Sequence, residues 1–247
     1  MGINGAHPFL SDYKVIDRDE DIDLDTAFKK ADMISLDLLG SFYMKTLSSC
    51  REKKFDSVGY HLQRVFGQYV KRINILIDGR KSQQKNFAHQ KRSEEKEKKL
   101  DQVEKILNAV NNRERNFSSY VKKSISKNLK LSYSITYEDK IDLKNSLTNM
   151  GLKCTIVPGE VDLECAQTPN LPVITKDGDF LFHPIAVVLI IRPSRNGVTF
   201  SRLEHSNILS KLGLTDLKFK LLGILSGNDY SPNIPQMGIK SNYEILK

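Results

Sequence analysis

Seven carboxylates fall where segments of this chain end: Asp37, Asp78, Glu160, Asp162, Asp177, Asp179 and Asp229. Glu160 and Asp162 show the chemistry most plainly. They follow Pro158-Gly159, which stops a β-branched run at 154–157, and stand two apart where a helix can begin. Two like charges 4 Å apart repel by roughly 4 kcal/mol at an effective dielectric of about 20. A hard divalent cation between them is the usual remedy, and acidic first-turn residues complementing a helix dipole are the plain alternative. Asp78-Gly79 and Asp177-Gly178 are, taken singly, ordinary turn dipeptides, and Asp229 could simply follow a helix C-terminus. Gathered together, the acids suit two metals about 4 Å apart, which generate a hydroxide and stabilise the leaving oxygen of an in-line displacement at phosphorus. Such chemistry needs no histidine base, and none of the five histidines lies in the acidic segments.

The surrounding pattern supplies elements to hold these acids. Met33 to Leu36 reads as a strand ending at Asp37, and 38–48 as a helix with Leu39, Phe42, Tyr43 and Leu47 in an apolar stripe. A second amphipathic helix spans 56–71, and Ile73 to Ile77 is a buried strand ending in Asp78-Gly79. Strand, helix, strand with an acid at each strand end is a βαβ unit, and open parallel sheets place their sites outside the carboxyl ends of the strands. Residues 80–135 differ: Arg80 to Arg92 carries five basic residues and no acid, and 91–105 alternates in sign. Phe117, Val121, Ile125 and Leu129 recur every fourth residue, with Lys123, Lys127 and Lys130 elsewhere around the same helix. This region reads as a helical insertion projecting from the sheet, and its composition alone suits a membrane surface or nucleic acid.

Regular α/β pattern then resumes. Thr136 with Asp139 resembles a capping box, Leu143, Leu147 and Met150 share a helix face, and Gly151 ends that helix. Pro172 to Thr175 is a strand opening into Asp177-Gly178-Asp179, and Ala186 to Ile191 is another buried strand. Thr215 caps a helix that stops at Gly227, and 234–240 is a turn leading into a last helix. That helix is still running at Lys247 with no stop signal, so a motif cut short is expected.

The chain has 247 residues, and 39% hydrophobic content is enough for a real core. A net charge of +8 points to a polyanionic partner. Three cysteines in no Cys-x-x-Cys pair suit a reducing compartment. No apolar run approaches a membrane span, there is no secretory pattern, and Ala6 stands where myristoylation needs Ser or Thr. A soluble nuclear or cytosolic protein with no membrane partner is expected.

Five blocks carry a resemblance: Ile34-Ser35-Leu36-Asp37, Ile77-Asp78-Gly79, Pro158-Gly159-Glu160-Val161-Asp162, Thr175-Lys176-Asp177-Gly178-Asp179 and Gly227-Asn228-Asp229-Tyr230. In this order, between Met-Gly-Ile-Asn-Gly at the start and Gly238-Ile239-Lys240 near the end, they resemble the flap endonuclease and XPG class of structure-specific 5′ nucleases. The resemblance implies an α/β, PIN-like 5′-nuclease fold: a central, mostly parallel twisted sheet flanked by helices, with a helical arch and a shortened helix-turn-helix. It implies one nuclease domain over 1–247. Residues 1–79 would form its N-terminal portion, 80–135 the arch or cap, 136–230 its internal portion and 231–247 the start of the helix-turn-helix. It further implies two-metal hydrolysis of phosphodiester bonds with two Mg²⁺, for which Mn²⁺ substitutes. Asp37, Asp78, Glu160 and Asp162 would serve mainly the first ion, and Asp177, Asp179 and Asp229 mainly the second. Lys85, Lys91 and Arg92 match the basic residues that steer the scissile phosphate. Tyr43 matches an aromatic on which a terminal base stacks, and Gly2 a small residue near the metals. Gly238 and Lys240 match the duplex-gripping turn. The implied partner is branched, 5′-flap or junction DNA, with RNA open as an alternative.

The sequence also departs from that family. Gln236 and Ile239 replace residues of its Gly-Ile-Gly-Pro-Lys turn, which argues against an unaltered K⁺ site there. The acidic pair is Glu-x-Asp where Glu-x-Glu is frequent, and Lys176 stands where an acid is common. No sliding-clamp motif occurs within 1–247. From a different class, a catalytically weak or inactive binding module on a nuclease scaffold fits the altered turn. A haloacid-dehalogenase-type phosphatase needs an acid two residues after Asp37, where this chain has Leu39.

Overall fold

Short runs of branched aliphatic residues leave no polar face to offer solvent, so they must be buried on both sides. In the computed structural model, which describes residues 3, 5–16, 21–80, 86–112, 117–194, 197–228 and 236–247, these runs form the centre of a six-stranded sheet. Its strands are β1 (Ile34–Asp37), β2 (Ile73–Ile77), β3 (Lys153–Ile156), β4 (Val173–Thr175), β5 (Val187–Ser194) and β6 (Gly197–Glu204). Their spatial order is β3-β2-β1-β4-β5-β6, parallel except for β6, which pairs antiparallel with β5.

Alternate strand residues face two separate cores. On one face Leu76, Val173, Val188 and Ile190 pack with helices α1 (Ala6–Asp12), α8 (Val161–Gln167), α9 (His205–Leu212), α10 (Asp216–Leu225) and α11 (Ile239–Leu246). On the other, Leu36, Ile75, Ile77, Ile174 and Leu189 pack with α2 (Leu24–Lys29), α3 (Leu38–Glu52), α4 (Asp56–Phe66) and α7 (Tyr137–Asn149). The chain lays β2 and β3 on one side of β1 and then crosses to place β4 and β5 on the other. The order therefore reverses between β1 and β4, and the crevice outside the carboxyl ends there is where open α/β sheets bind ligands.

The basic insertion consists of α5 (Asn86–Asn111) and α6 (Ser119–Ser132), which pack on each other, with α6 also touching α3. Of the four apolar residues expected on one helix, Phe117 lies before α6 begins and is 58% exposed, Val121 is buried and Leu129 is exposed.

Several elements differ from the expectation. Strand β6 and helices α1, α2 and α9 were not foreseen. β3 runs one residue earlier than expected, and the second helix ends at Phe66, where Gly67 takes φ +51 and a 3₁₀ turn continues to Arg72. Helix α3 is broken at Phe42 (φ −128°, ψ 33°), and Tyr43, placed by periodicity in an apolar stripe, is 39% exposed. Among the described residues, no helix is long and apolar enough to cross a membrane.

Candidate functional site

Asp37 ends β1 and caps α3 at once. Its Oδ1 accepts the Gly40 N–H at 2.9 Å and its Oδ2 accepts the Thr175 hydroxyl at 2.9 Å. A Cβ at residue 40 would overlap this carboxylate, so the glycine is required. With only 4% of its surface exposed, Asp37 is pushed up to about 7, first by burial and then by the charge of Asp78, against the two donors. Asp177 adds in the same direction.

Asp78 follows β2 directly. Its Oδ1 accepts the Val161 N–H at 2.9 Å, which ties the end of β2 to the first turn of α8. Burial raises its carboxyl, with Asp162 and Glu160 contributing, while the Val161 N–H and Lys140 oppose. Gly79 donates its N–H to the Gly159 carbonyl at 2.7 Å, and a Cβ there would overlap the Val157 carbonyl. Glu160 is the N-cap of α8, and Asp162 lies buried in its first turn.

Beyond β4, Asp177 caps the 3₁₀ turn Gly178–Phe182 and accepts the Asp179 N–H at 3.1 Å. The Thr175 hydroxyl donates to Asp37 and accepts the Asp177 N–H at 3.0 Å, so one side chain locks two acids from neighbouring strand ends.

The fold thus brings Asp37, Asp78, Glu160, Asp162, Asp177 and Asp179 to the ends of four adjacent strands at the reversal point. Asp229, Gly2 and Lys85 lie outside the described residues. Lys91 and Arg92 stand on α5, with their side chains outside the described set. Gly238 is the N-cap of α11, and Lys240 reaches back to Asp12 of α1 at 2.6 Å. Three residues of the mouth carry no role on sequence grounds. Thr175 is the first. The second is Lys140 on α7, whose ammonium donates to the carbonyls of Asp78 and Gly79. The third is His183, whose Nε2 stands 3.4 Å from Asp162 Oδ2. A histidine does therefore adjoin the acids, although none lies in their segments. Only the Thr-x-Asp spacing at 175–177 offered a sequence signal; the other two contacts arise from tertiary packing.

All these donors are hard carboxylate oxygens, and burial with mutual repulsion disfavours the ionised forms of Asp37 and Asp78. By chemistry the set fits a hard divalent cation, whose charge would offset both effects. Among the described residues, no three His, Cys, Asp or Glu side chains are close enough together to enclose an ion. The acids share a mouth without closing a coordination shell.

No family model matches the chain. By sequence it is similar to Flap endonuclease 1 of Chlamydomonas reinhardtii, 26% identical over 199 residues, 76% of this chain and 48% of the relative. It is also similar to Flap endonuclease 1 of Sulfurisphaera tokodaii, 27% identical over 258 residues, 91% of this chain and 70% of the relative. The chain spans about half the length of the first of these. Among solved structures it is similar to the catalytic core of Rad2 in complex with DNA substrate. That match has a TM-score of 0.66 at 14% identity and covers 99% of this chain and 68% of the other. Human GEN1 in complex with Holliday junction DNA matches with a TM-score of 0.53 at 16% identity, over 99% of this chain and 55% of that one.

Proposed function

We propose that this chain, which has the α/β nuclease-core fold of the flap endonuclease and XPG type, is a structure-specific 5′ nuclease acting on branched or 5′-ended DNA. The observation that carries the reading is the convergence of acids past the ends of β1, β2, β3 and β4 at the strand-order reversal. Two of these acids, Asp37 and Asp162, are buried, and desolvated carboxylates gathered at a crevice mark a functional-site candidate.

Bound divalent ions would supply a hydroxide nucleophile and stabilise the leaving oxygen of the phosphodiester. Asp37, Asp78, Glu160 and Asp162 would hold one ion, with Asp177, Asp179 and Asp229 holding the other. The chain's own groups set the stage. The Gly40 N–H and the Thr175 hydroxyl fix the Asp37 carboxylate, and the Val161 N–H fixes that of Asp78. Lys85, together with Lys91 and Arg92 of α5, would steer the scissile phosphate. The exposed Tyr43 ring offers a stacking face to a terminal base. Gly2 would border the ions, while Gly238 and Lys240 would meet duplex DNA at the start of α11.

The test is a panel of end-labelled flap, nick, bubble, four-way and RNA substrates with and without Mg²⁺ or Mn²⁺. Metal-dependent cuts near a 5′ branch are expected, and Asp78→Asn should abolish them while DNA binding persists. One observation favours a second reading, a binding module that does not cut: Gln236 and Ile239 alter the turn that would grip the duplex. Binding without cleavage on every substrate and metal would establish it instead.

A further inference from the structure

Both feet of the α5–α6 hairpin meet at the first turn of α7. The chain leaves the sheet through Asp78, Gly79 and Arg80, and it returns from α6 through Tyr133 to the α7 cap at Thr136. On the return side Asp139 is fully buried and completes the capping box with Thr136. It accepts hydrogen bonds from Lys53 Nζ at 2.6 Å and from the Tyr133 hydroxyl at 2.7 Å. On the departure side stands the next residue, Lys140. Its ammonium donates to the carbonyls of Asp78 and Gly79, both at 2.8 Å. Beside it the Arg80 guanidinium lies over the Tyr137 ring, 5.3 Å from its centroid.

The peptide that follows Asp78 is therefore gripped from two directions. Lys140 holds its carbonyl side, and Gly79 presses on the β3–α8 loop with its N–H on the Gly159 carbonyl. The same loop leads into Glu160 and Val161, and the Val161 N–H orients the Asp78 carboxylate. A lysine serving only as a solvated surface charge would not commit two of its three donors to backbone carbonyls. Here the carbonyls belong to a candidate ion-binding residue and to its neighbour.

We propose that Lys140 is a positioning residue that holds Asp78 at the angle at which its carboxylate meets a divalent cation. Through the same grip the departing foot of the hairpin and that carboxylate move as one piece. This rests on the metal-dependent reading above.

The test measures Mg²⁺ binding to the whole chain by calorimetry, without nucleic acid, so cleavage is not the readout. Lys140→Met keeps the length and removes the donors, Lys140→Gln keeps one neutral donor group, and Lys140→Arg restores the charge. Far-UV circular dichroism monitors folding. Mg²⁺ affinity should fall roughly tenfold or more in the Met variant, the usual cost of losing a partner that orients a metal ligand. It should fall less in the Gln variant and recover in the Arg variant. Wild-type Mg²⁺ affinity in Lys140→Met overturns the proposal. So does an Arg variant no better than Met, or failure of all three to fold, which would make Lys140 a folding residue only. A wild-type chain that binds neither Mg²⁺ nor Mn²⁺ at millimolar concentration removes the metal reading itself, and the role of Lys140 falls with it.

Discussion

Asp139 and Asp37 are both buried, both cap a helix, and titrate in opposite directions. Burial pushes each carboxyl up. At Asp139 that push is overcome by Lys53, the Tyr133 hydroxyl and the Thr136 N–H, and the carboxyl ends below its usual range. At Asp37 the two donors face the charges of Asp78 and Asp177, and the carboxyl rises to about 7. The fold satisfies the acid that ties α3, α6 and α7 together. It leaves under-compensated the acid at the mouth, where, on the metal-dependent reading, an external cation would complete the balance.

Asparagine at each position breaks this comparison most sharply. Asp37→Asn should reduce Mg²⁺-dependent cleavage of a 5′ flap by about a thousandfold or more, a loss of roughly 4 kcal/mol in the barrier. Single-turnover rates check this, and undiminished cutting would remove Asp37 from the site. Asp139→Asn should do the reverse. Cleavage should survive in the folded fraction, while the lost charge-assisted bonds cost about 3 kcal/mol and lower Tm by roughly 6–12 °C. A thermal melt at fixed pH decides it.

A titration without metal sharpens the contrast. Asp37 has a folded value of about 7 against 3.8 for the free carboxyl, so the folded protein binds the extra proton between them. Its stability contribution is therefore fully present at the acid end of that window and is lost as pH rises through 7. Between pH 5.5 and 7.5 the loss is about 2 kcal/mol, and it should vanish in Asp37→Asn. Asp139, lowered instead, holds its contribution throughout this range and loses it only in stronger acid. Millimolar Mg²⁺ should raise Tm more at pH 7.5 than at 5.5, because only ionised acids hold it. An equal response at both values would disconnect Asp37 from the ion.

The sequence revealed one side of this comparison better than the other. The acids at 37, 78, 160–162 and 177–179 were legible because each follows a strong apolar run or a Pro-Gly or Asp-Gly break, and strand ends place residues predictably. The Thr136–Asp139 capping box was legible for the same local reason. The partners of Asp139 were not: Lys53 and Tyr133 look like solvated or helix-end residues until the fold brings them in. Lys140 hides among other charged residues of α7, Glu138, Asp142 and Lys144, and His183 meets Asp162 only across the mouth. Strand β6 was missed because Gly197–Glu204 mixes polar and apolar residues at a sheet edge, and α1 and α2, at seven and six residues, are too short for periodicity.

The smallest effect separates two non-glycine residues held in the left-handed region, Lys53 at φ 55° and Gln236 at φ 65°. That conformation costs an L-residue roughly 1–2 kcal/mol and glycine almost nothing. Gln236→Gly should therefore stabilise the chain by about 0.5–1 kcal/mol once the greater freedom of unfolded glycine is subtracted. Lys53→Gly relieves the same strain but removes the ammonium bonded to buried Asp139, so its net effect should be destabilising. Opposite signs in parallel denaturation curves are expected. If both substitutions stabilised, Lys53 would contribute less at Asp139 than the strain it carries, and the contrast between the compensated and the under-compensated acid would lose its main support.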